Sequence, residues 1–126
     1  MNGALVFVDE HVPGIYWDSK YATWDNFTGK PVDGYLANRI VGTRPLCAAL
    51  ERAREDAAAL GFGLLLLMDA ISHHEAKGIG PDAARNRRCL RRIMETAGFS
   101  SYACEWWHYT LRDEPYPDTY FDVPIA

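Results

Sequence analysis

Two amphipathic helices separated by a short apolar run constrain the fold of this chain most strongly. Thr43 is suited to cap the first helix, and its apolar positions recur at helical spacing until Gly61. Residues 62–68, FGLLLLM, then predict a fully buried strand. A second helix is expected from about residue 81 to residue 97, where a glycine follows as a stop signal.

Apolar and aromatic runs on either side of this unit predict further strands. Residues 4–8 read ALVFV, and residues 101–111 are rich in Tyr, Trp and Cys. No repeat or linker divides the 126 residues, so we expect a single domain spanning residues 1–126. The combined pattern predicts an α+β fold with a small antiparallel sheet and two main helices. We expect the 101–111 strand to lie beside the strand at 62–68.

The charge of the chain argues against a polyanionic partner. Its net charge is −4, which gives no reason to expect binding to nucleic acid or to an anionic membrane. The second helix does carry a cluster of arginines, which could bind phosphates or simply form a solvated outer face. The acidic balance of the chain favours the solvated face. The five arginines are Arg85, Arg87, Arg88, Arg91 and Arg92.

The cysteines and the first residues of the chain indicate the cellular compartment in which the protein is expected. Cys47, Cys89 and Cys104 cannot all pair within one chain, and none forms a C-x-x-C motif. Three reduced thiols are typical of a reducing compartment. The first residues lack the basic start of a signal peptide, and the longest apolar run, 64–68, is too short to cross a bilayer. The cytoplasm is therefore the expected location.

The stretch CEWWHYTL, residues 104–111, places a carboxylate and an imidazole around two tryptophans. In a flat strand Glu105 and His108 would point to opposite faces, so a shared site requires a bulge, a sharp twist or a strand end. Partial desolvation beside indole rings would suit Glu105 to acid/base work. The residues alone leave open a second interpretation, in which both are hydrogen-bonded side chains of an aromatic sheet.

A second polar cluster follows the apolar run at residues 69–75, DAISHHE. Asp69, His73, His74 and Glu75 could supply metal ligands, although adjacent histidines diverge in most backbone conformations. A polar loop with hydrogen-bonded histidines explains the same residues.

Two long segments resemble bacterial D-alanyl-D-alanine dipeptidases of the vancomycin-resistance type. The first, residues 17–43, reads WDSKYATWDNFTGKPVDGYLANRIVGT. The second, residues 72–126, runs from SHHEAKGIGPD through CEWWHYTLRDEPYP to the last residue. The resemblance covers essentially the whole chain, and these aromatic-rich matches are more specific than a short motif.

The resemblance implies a cytoplasmic zinc hydrolase that cleaves the D-Ala-D-Ala dipeptide in glycopeptide resistance. In the family's E-W-W-H motif the Glu is the catalytic acid/base and the His is a zinc ligand. Carried over, Glu105 is the expected catalytic residue and His108 the expected metal ligand. Zinc would lower the pKa of a bound water and polarise the scissile carbonyl.

The sequence departs from the family by an internal deletion. The family's S-x-H-x-x-G-x-A-x-D motif, with the other two zinc ligands, is absent, and so is the Tyr-Arg-Pro sequence whose Arg stabilises the oxyanion. In the family, both motifs should lie between the residues that correspond to Leu67 and Met68. The junction of the deletion is therefore expected at about Leu67. The resemblance leaves one zinc ligand of three, and it predicts little or no dipeptidase activity. A zinc site rebuilt from Asp69 with His73 or His74 is the less favoured exception.

The deletion also affects which surface the fold exposes and which other role the chain could have. A shortened version of the zinc D,D-peptidase fold would expose an apolar edge or face of its sheet, which favours self-association. The alternative to a dipeptidase is a non-catalytic remnant that keeps a peptide-binding or interaction role.

Overall fold

The computed structural model describes residues 3–26, 28–68, 80–121 and 124–125. The chain combines helices with short strands. The elements are β1 (Leu5–Phe7), α1 (Val8–His11), β2 (Tyr16–Ser19), a 3₁₀ turn (Lys20–Ala22), β3 (Val41–Thr43), α2 (Arg44–Ala59), β4 (Leu65–Met68), α3 (Pro81–Thr96), β5 (Phe99–Tyr102) and β6 (Glu105–Leu111).

Helix α2 forms where its local signals predict it. The hydroxyl oxygen of Thr43 accepts a hydrogen bond from the backbone N–H of Leu46 at 3.3 Å, which satisfies one of the free donors of the first turn. Gly61 follows the helix with φ +81°, a conformation that glycine adopts without strain. The predicted helix is therefore confirmed. Its buried face consists of Cys47, Ala49, Leu50, Ala53 and Ala57.

Helix α3 packs against α2 and leads directly into the C-terminal hairpin. Ile93 and Met94 are buried in the same core as Leu50, and Phe99 at the start of β5 closes that core. The guanidinium of Arg52 on α2 donates a hydrogen bond at 3.0 Å to the backbone oxygen of Ala97, just beyond α3. The second predicted helix is also confirmed, and the C-terminal hairpin begins shortly after it, at Phe99.

The described strands form three separate two-stranded pairs. β1 pairs with β3 and β5 with β6, both antiparallel, whereas β2 pairs with β4 in parallel. The α+β class is confirmed, but the expectation that the Glu105–His108 strand lies beside the 62–68 strand is wrong. β5 and β6 are joined by only two residues, and this short connection makes each the natural antiparallel partner of the other.

The prediction of a fully buried strand at residues 62–68 is also wrong. Leu64 is only 8% exposed, but Phe62 is 51% exposed and Leu65 is 55% exposed. Among the described residues β4 pairs only with β2, and the exposure of Phe62 and Leu65 shows that the described residues leave part of the 62–68 segment uncovered. Apolar surface is exposed on the β2–β4 pair, as expected of a fold that has lost core elements.

The two long helices, α2 and α3, have 16 residues each. Within the described ranges, no helix combines the length and apolar character needed to span a membrane.

Candidate functional site

A bulge in β6 dominates the geometry of the C-terminal hairpin. Tyr102 pairs with Glu105 next to the turn, but the next residue back on β5, Ser101, pairs with Tyr109. The three residues 106–108 on β6 therefore have no counterpart on β5. Such a bulge breaks the regular alternation of side chains along a strand.

The bulge brings the two predicted site residues together. The Nδ1 atom of His108 lies 2.8 Å from Oε2 of Glu105, although the residues are three apart in a strand. The side chain of His108 is 52% exposed and that of Glu105 is 26% exposed, so the pair is reachable from solvent. The prediction that β6 must bend to bring Glu105 and His108 together is confirmed.

Aromatic residues lie next to the pair along the chain, and the ring of one of them contacts His108. The ring of Tyr102 meets the His108 imidazole edge to face, with 5.3 Å between centroids, and the rings of Trp106 and Trp107 are perpendicular at 5.5 Å. The hydroxyl of Tyr109 donates a hydrogen bond at 3.1 Å to the backbone oxygen of Trp106. These contacts stabilise the bulge.

Two tyrosines next to the pair resist ionisation. Burial raises the pKa of Tyr109 to about 12, because the half-buried phenolate would lose hydration. A hydrogen bond with Cys104 is the main cause of a raised pKa at Tyr102. Both phenols therefore stay neutral at physiological pH.

The contact with Glu105 sets what His108 can do chemically. A carboxylate accepts hydrogen bonds, so the Nδ1–H of the imidazole donates and the Nε2 lone pair remains available. Metal-binding histidines commonly donate their other N–H to a carboxylate in this way. The pair can therefore offer one ligand nitrogen, and Glu105 a carboxylate for proton transfer.

A catalytic zinc ion requires about three protein ligands, and the described residues do not provide them together. In the ranges that the structure describes, no group of three His, Cys, Asp or Glu side chains is placed to hold a metal ion. The alternative cluster of Asp69, His73, His74 and Glu75 lies outside the described residues. The described residues thus fit one ligand position and not a complete zinc centre.

The family model for peptidase M15, D-ala-D-ala dipeptidase, matches the chain over residues 1–69 and again over residues 67–126. The chain belongs to this D-Ala-D-Ala dipeptidase family. Its small sheets and helices are a shortened form of the family's fold. The two matched segments meet at residues 67–69, which confirms the predicted internal deletion near Leu67.

Three curated relatives carry the name D-alanyl-D-alanine dipeptidase. The relative from Streptomyces coelicolor is 45% identical over 202 residues, and the relative from Enterococcus faecalis is 39% identical over 202 residues. Each alignment runs from end to end, and so spans 100% of this chain and 100% of the relative. The relative from Enterococcus faecium is 38% identical over 201 residues, covering 99% of this chain and all of its own. This chain has only 126 residues, so an internal part of each relative has no counterpart in it.

One residue of the hairpin's surroundings was misassigned from sequence. The arginines of α3 were expected to form a solvated outer face, but Arg87 is half-buried and its guanidinium carbon lies 4.8 Å from the centre of the Trp106 ring. Helical spacing contains the signal, since Arg87 lies three residues before Leu90 and seven before Met94, on the inner stripe of α3. Arg85, Arg88, Arg91 and Arg92 are exposed as expected.

Proposed function

We propose that this chain is a D-Ala-D-Ala dipeptidase relative that retains the acid/base and one metal ligand but has little or no dipeptidase activity. The contact between Glu105 and His108 supports the assignment of the pair, with Glu105 as the catalytic residue and His108 as the metal ligand. The family is zinc-dependent, and the described residues offer one ligand where a catalytic zinc site requires about three.

The chemistry that the pair retains is separate from the contributions that are missing. A positioned general base such as Glu105 typically contributes about 10²–10⁴-fold to a reaction rate. Because the Tyr-Arg-Pro sequence is absent, the chain also lacks the arginine that would stabilise the oxyanion. One such donor stabilises the transition state by about 3–4 kcal/mol in other enzymes. D-Ala-D-Ala remains the proposed family substrate, but we expect its hydrolysis by this chain to stay near background.

An activity assay with a matched variant tests this proposal. The purified full chain is incubated with zinc and D-Ala-D-Ala, and released D-alanine is measured. Glu55 is an exposed carboxylate on α2 and supplies the control variant Glu55→Gln. Release at background level is expected for wild type, Glu105→Gln and Glu55→Gln alike. Turnover that disappears in Glu105→Gln but persists in Glu55→Gln would show instead that the chain is an active dipeptidase.

Zinc retention gives an independent test. After dialysis we expect far less than one zinc ion per chain, because a single imidazole holds zinc weakly. One retained equivalent that is lost in His108→Ala, but kept in His11→Ala, would indicate a complete site built around His108. It would contradict the proposal even if no turnover were found.

We also propose that the chain self-associates through the exposed apolar surface of the β2–β4 pair. Leu65 is half-exposed there, and Tyr16, which pairs with Leu65, is exposed as well. Uncovered apolar strands of this kind favour pairing with another chain.

A cytoplasmic location is part of the same proposal. Cys47, Cys89 and Cys104 are all free thiols in the structure. Unpaired cysteines are typical of proteins kept in a reducing compartment, which supports this location.

A further inference from the structure

A cavity of about 390 Å³ lies between α2, the segment before β4, α3 and β6. Its walls are mainly apolar and include Ala57, Leu64, Leu90, Ile93 and the ring of Trp106. The volume lies within the range of small-molecule sites, which are typically apolar clefts with a few polar groups that fix orientation.

One cation, Arg87, stands in this apolar wall. Its Nη1 atom is buried and has no hydrogen-bond partner among the described residues, while its guanidinium carbon lies over the ring of Trp106 at 4.8 Å. A buried donor of a charged group without a partner is costly, because it has lost its hydration and gained nothing in exchange. The contact with Trp106 keeps the guanidinium in place and offers no hydrogen-bond acceptor for Nη1.

We propose that this cavity binds a small organic carboxylate with an apolar body, and that Arg87 pairs with its carboxylate. A guanidinium matches a carboxylate through parallel hydrogen bonds, and such charge-assisted bonds are stronger than neutral ones. The apolar walls formed by Ala57, Leu64 and Ile93 suit an alkyl or aryl body. Asn86 also lines the cavity and is a neutral polar residue.

This site is separate from the Glu105–His108 pair. Neither Glu105 nor His108 lines the cavity, whereas Trp106, which lies between them in the bulge, forms part of its wall. Binding in the cavity therefore requires neither zinc nor hydrolysis of a dipeptide, and its test does not depend on the proposed loss of dipeptidase activity.

Calorimetric titration of the full chain with octanoate and with 1-octanol tests the proposal, because the two probes share an apolar chain and differ in charge. We expect octanoate to bind at least about tenfold more tightly than 1-octanol, as a charge-assisted pair predicts. In Arg87→Gln the octanoate affinity should fall by at least about tenfold and approach that of 1-octanol. Arg88→Gln, which removes the neighbouring exposed arginine, should bind octanoate like wild type.

A cavity-filling variant locates the binding. Ala83 lines the cavity from an exposed position on α3, so Ala83→Phe should block octanoate without disturbing the core; circular dichroism checks that each variant folds. Octanoate that binds no more tightly than 1-octanol, equal losses in Arg87→Gln and Arg88→Gln, or unchanged binding in Ala83→Phe would each overturn the proposal. Should Arg87→Gln fail to fold, the comparison of the two probes in wild type and Ala83→Phe still decides.

Discussion

The Nδ1 atom of His108 lies 2.8 Å from the Glu105 carboxylate, although a flat strand would point the two side chains to opposite faces. The unpaired residues 106–108 on β6 reverse the alternation between them. The bulge is therefore the structural device that turns a spacing unsuited to a shared site into a contact. It also turns Trp106 toward Arg87 and the cavity beside α3.

This contact predicts which tautomer His108 adopts. Because the carboxylate only accepts hydrogen bonds, the neutral imidazole should carry its proton on Nδ1 and leave Nε2 unprotonated. Nitrogen NMR of the side chain at a pH where the ring is neutral measures the two ring nitrogens separately. In Glu105→Ala we expect the preference for Nδ1–H to weaken, because its acceptor is gone.

His11 serves as the internal control for that experiment. Its Nδ1 lies 3.1 Å from the backbone oxygen of Phe7, so it should also carry the proton on Nδ1. Glu105→Ala leaves this contact intact, and the His11 signals should not move. If His108 shows the same tautomer in wild type and Glu105→Ala, the carboxylate does not determine it.

The N-cap of α2 predicts a loss of stability in Thr43→Ala. The substitution removes the hydrogen bond between the Thr43 hydroxyl and the Leu46 N–H, which should cost about 1 kcal/mol in the free energy of unfolding. For a chain of 126 residues we expect the melting temperature to fall by roughly 4 °C. Urea or thermal unfolding followed by circular dichroism provides the measurement. Thr119→Ala, at an exposed position outside the helices, should change stability far less; an equal loss would refute the cap.

Those features of the fold that depend on neighbouring residues could be predicted from sequence. Helix α2 is specified by Thr43, by the apolar stripe that includes Leu50, and by Gly61 after its end. Strand pairing could not be predicted in the same way, since β2 and β4 are distant in sequence and meet only in the folded chain. The 62–68 run shows the same difficulty: an apolar sequence predicts burial, but whether a second layer covers Leu65 depends on the rest of the fold.

The candidate site divides along the same line. The spacing of residues 104–111 shows only that Glu105 and His108 need a bulge to share a site. The resemblance to the dipeptidase family is the reason to expect that they share one. The bulge itself depends on how β6 aligns with β5, a pairing that local pattern does not determine. The inward position of Arg87 was available from helical spacing, but the cavity beside it arises where α2, the segment before β4, α3 and β6 meet in space.

The raised pKa of Tyr109 predicts a decline in stability at alkaline pH. Its folded-state pKa is about 12, above the value near 10 of an unfolded tyrosine. Below about pH 10 the phenol is protonated in both states, and its contribution is fully present. Between about pH 10 and pH 12 only the unfolded chain releases the proton, so stability should fall as pH rises.

Comparison of Tyr109→Phe with wild type isolates that contribution. At about pH 8 the variant should be roughly 1 kcal/mol less stable, because it loses the hydrogen bond to the backbone oxygen of Trp106. At about pH 11 the difference should shrink, because only wild type carries the alkaline penalty. Tyr120→Phe, at a fully exposed phenol, should follow wild type at both pH values. A constant difference between wild type and Tyr109→Phe would contradict the burial of this phenol.

The exposed apolar surface of the β2–β4 pair predicts concentration-dependent self-association. Leu65 lies in β4 opposite Tyr16 of β2, and a lysine at position 65 would place a charge that another chain must desolvate. We expect Leu65→Lys to shift the chain toward the monomer in sedimentation velocity across a range of concentrations. Leu36→Lys changes an exposed leucine outside this pair and should leave the association as in wild type. A wild-type chain that remains monomeric at every concentration, or equal effects of the two variants, would show that this surface does not mediate association.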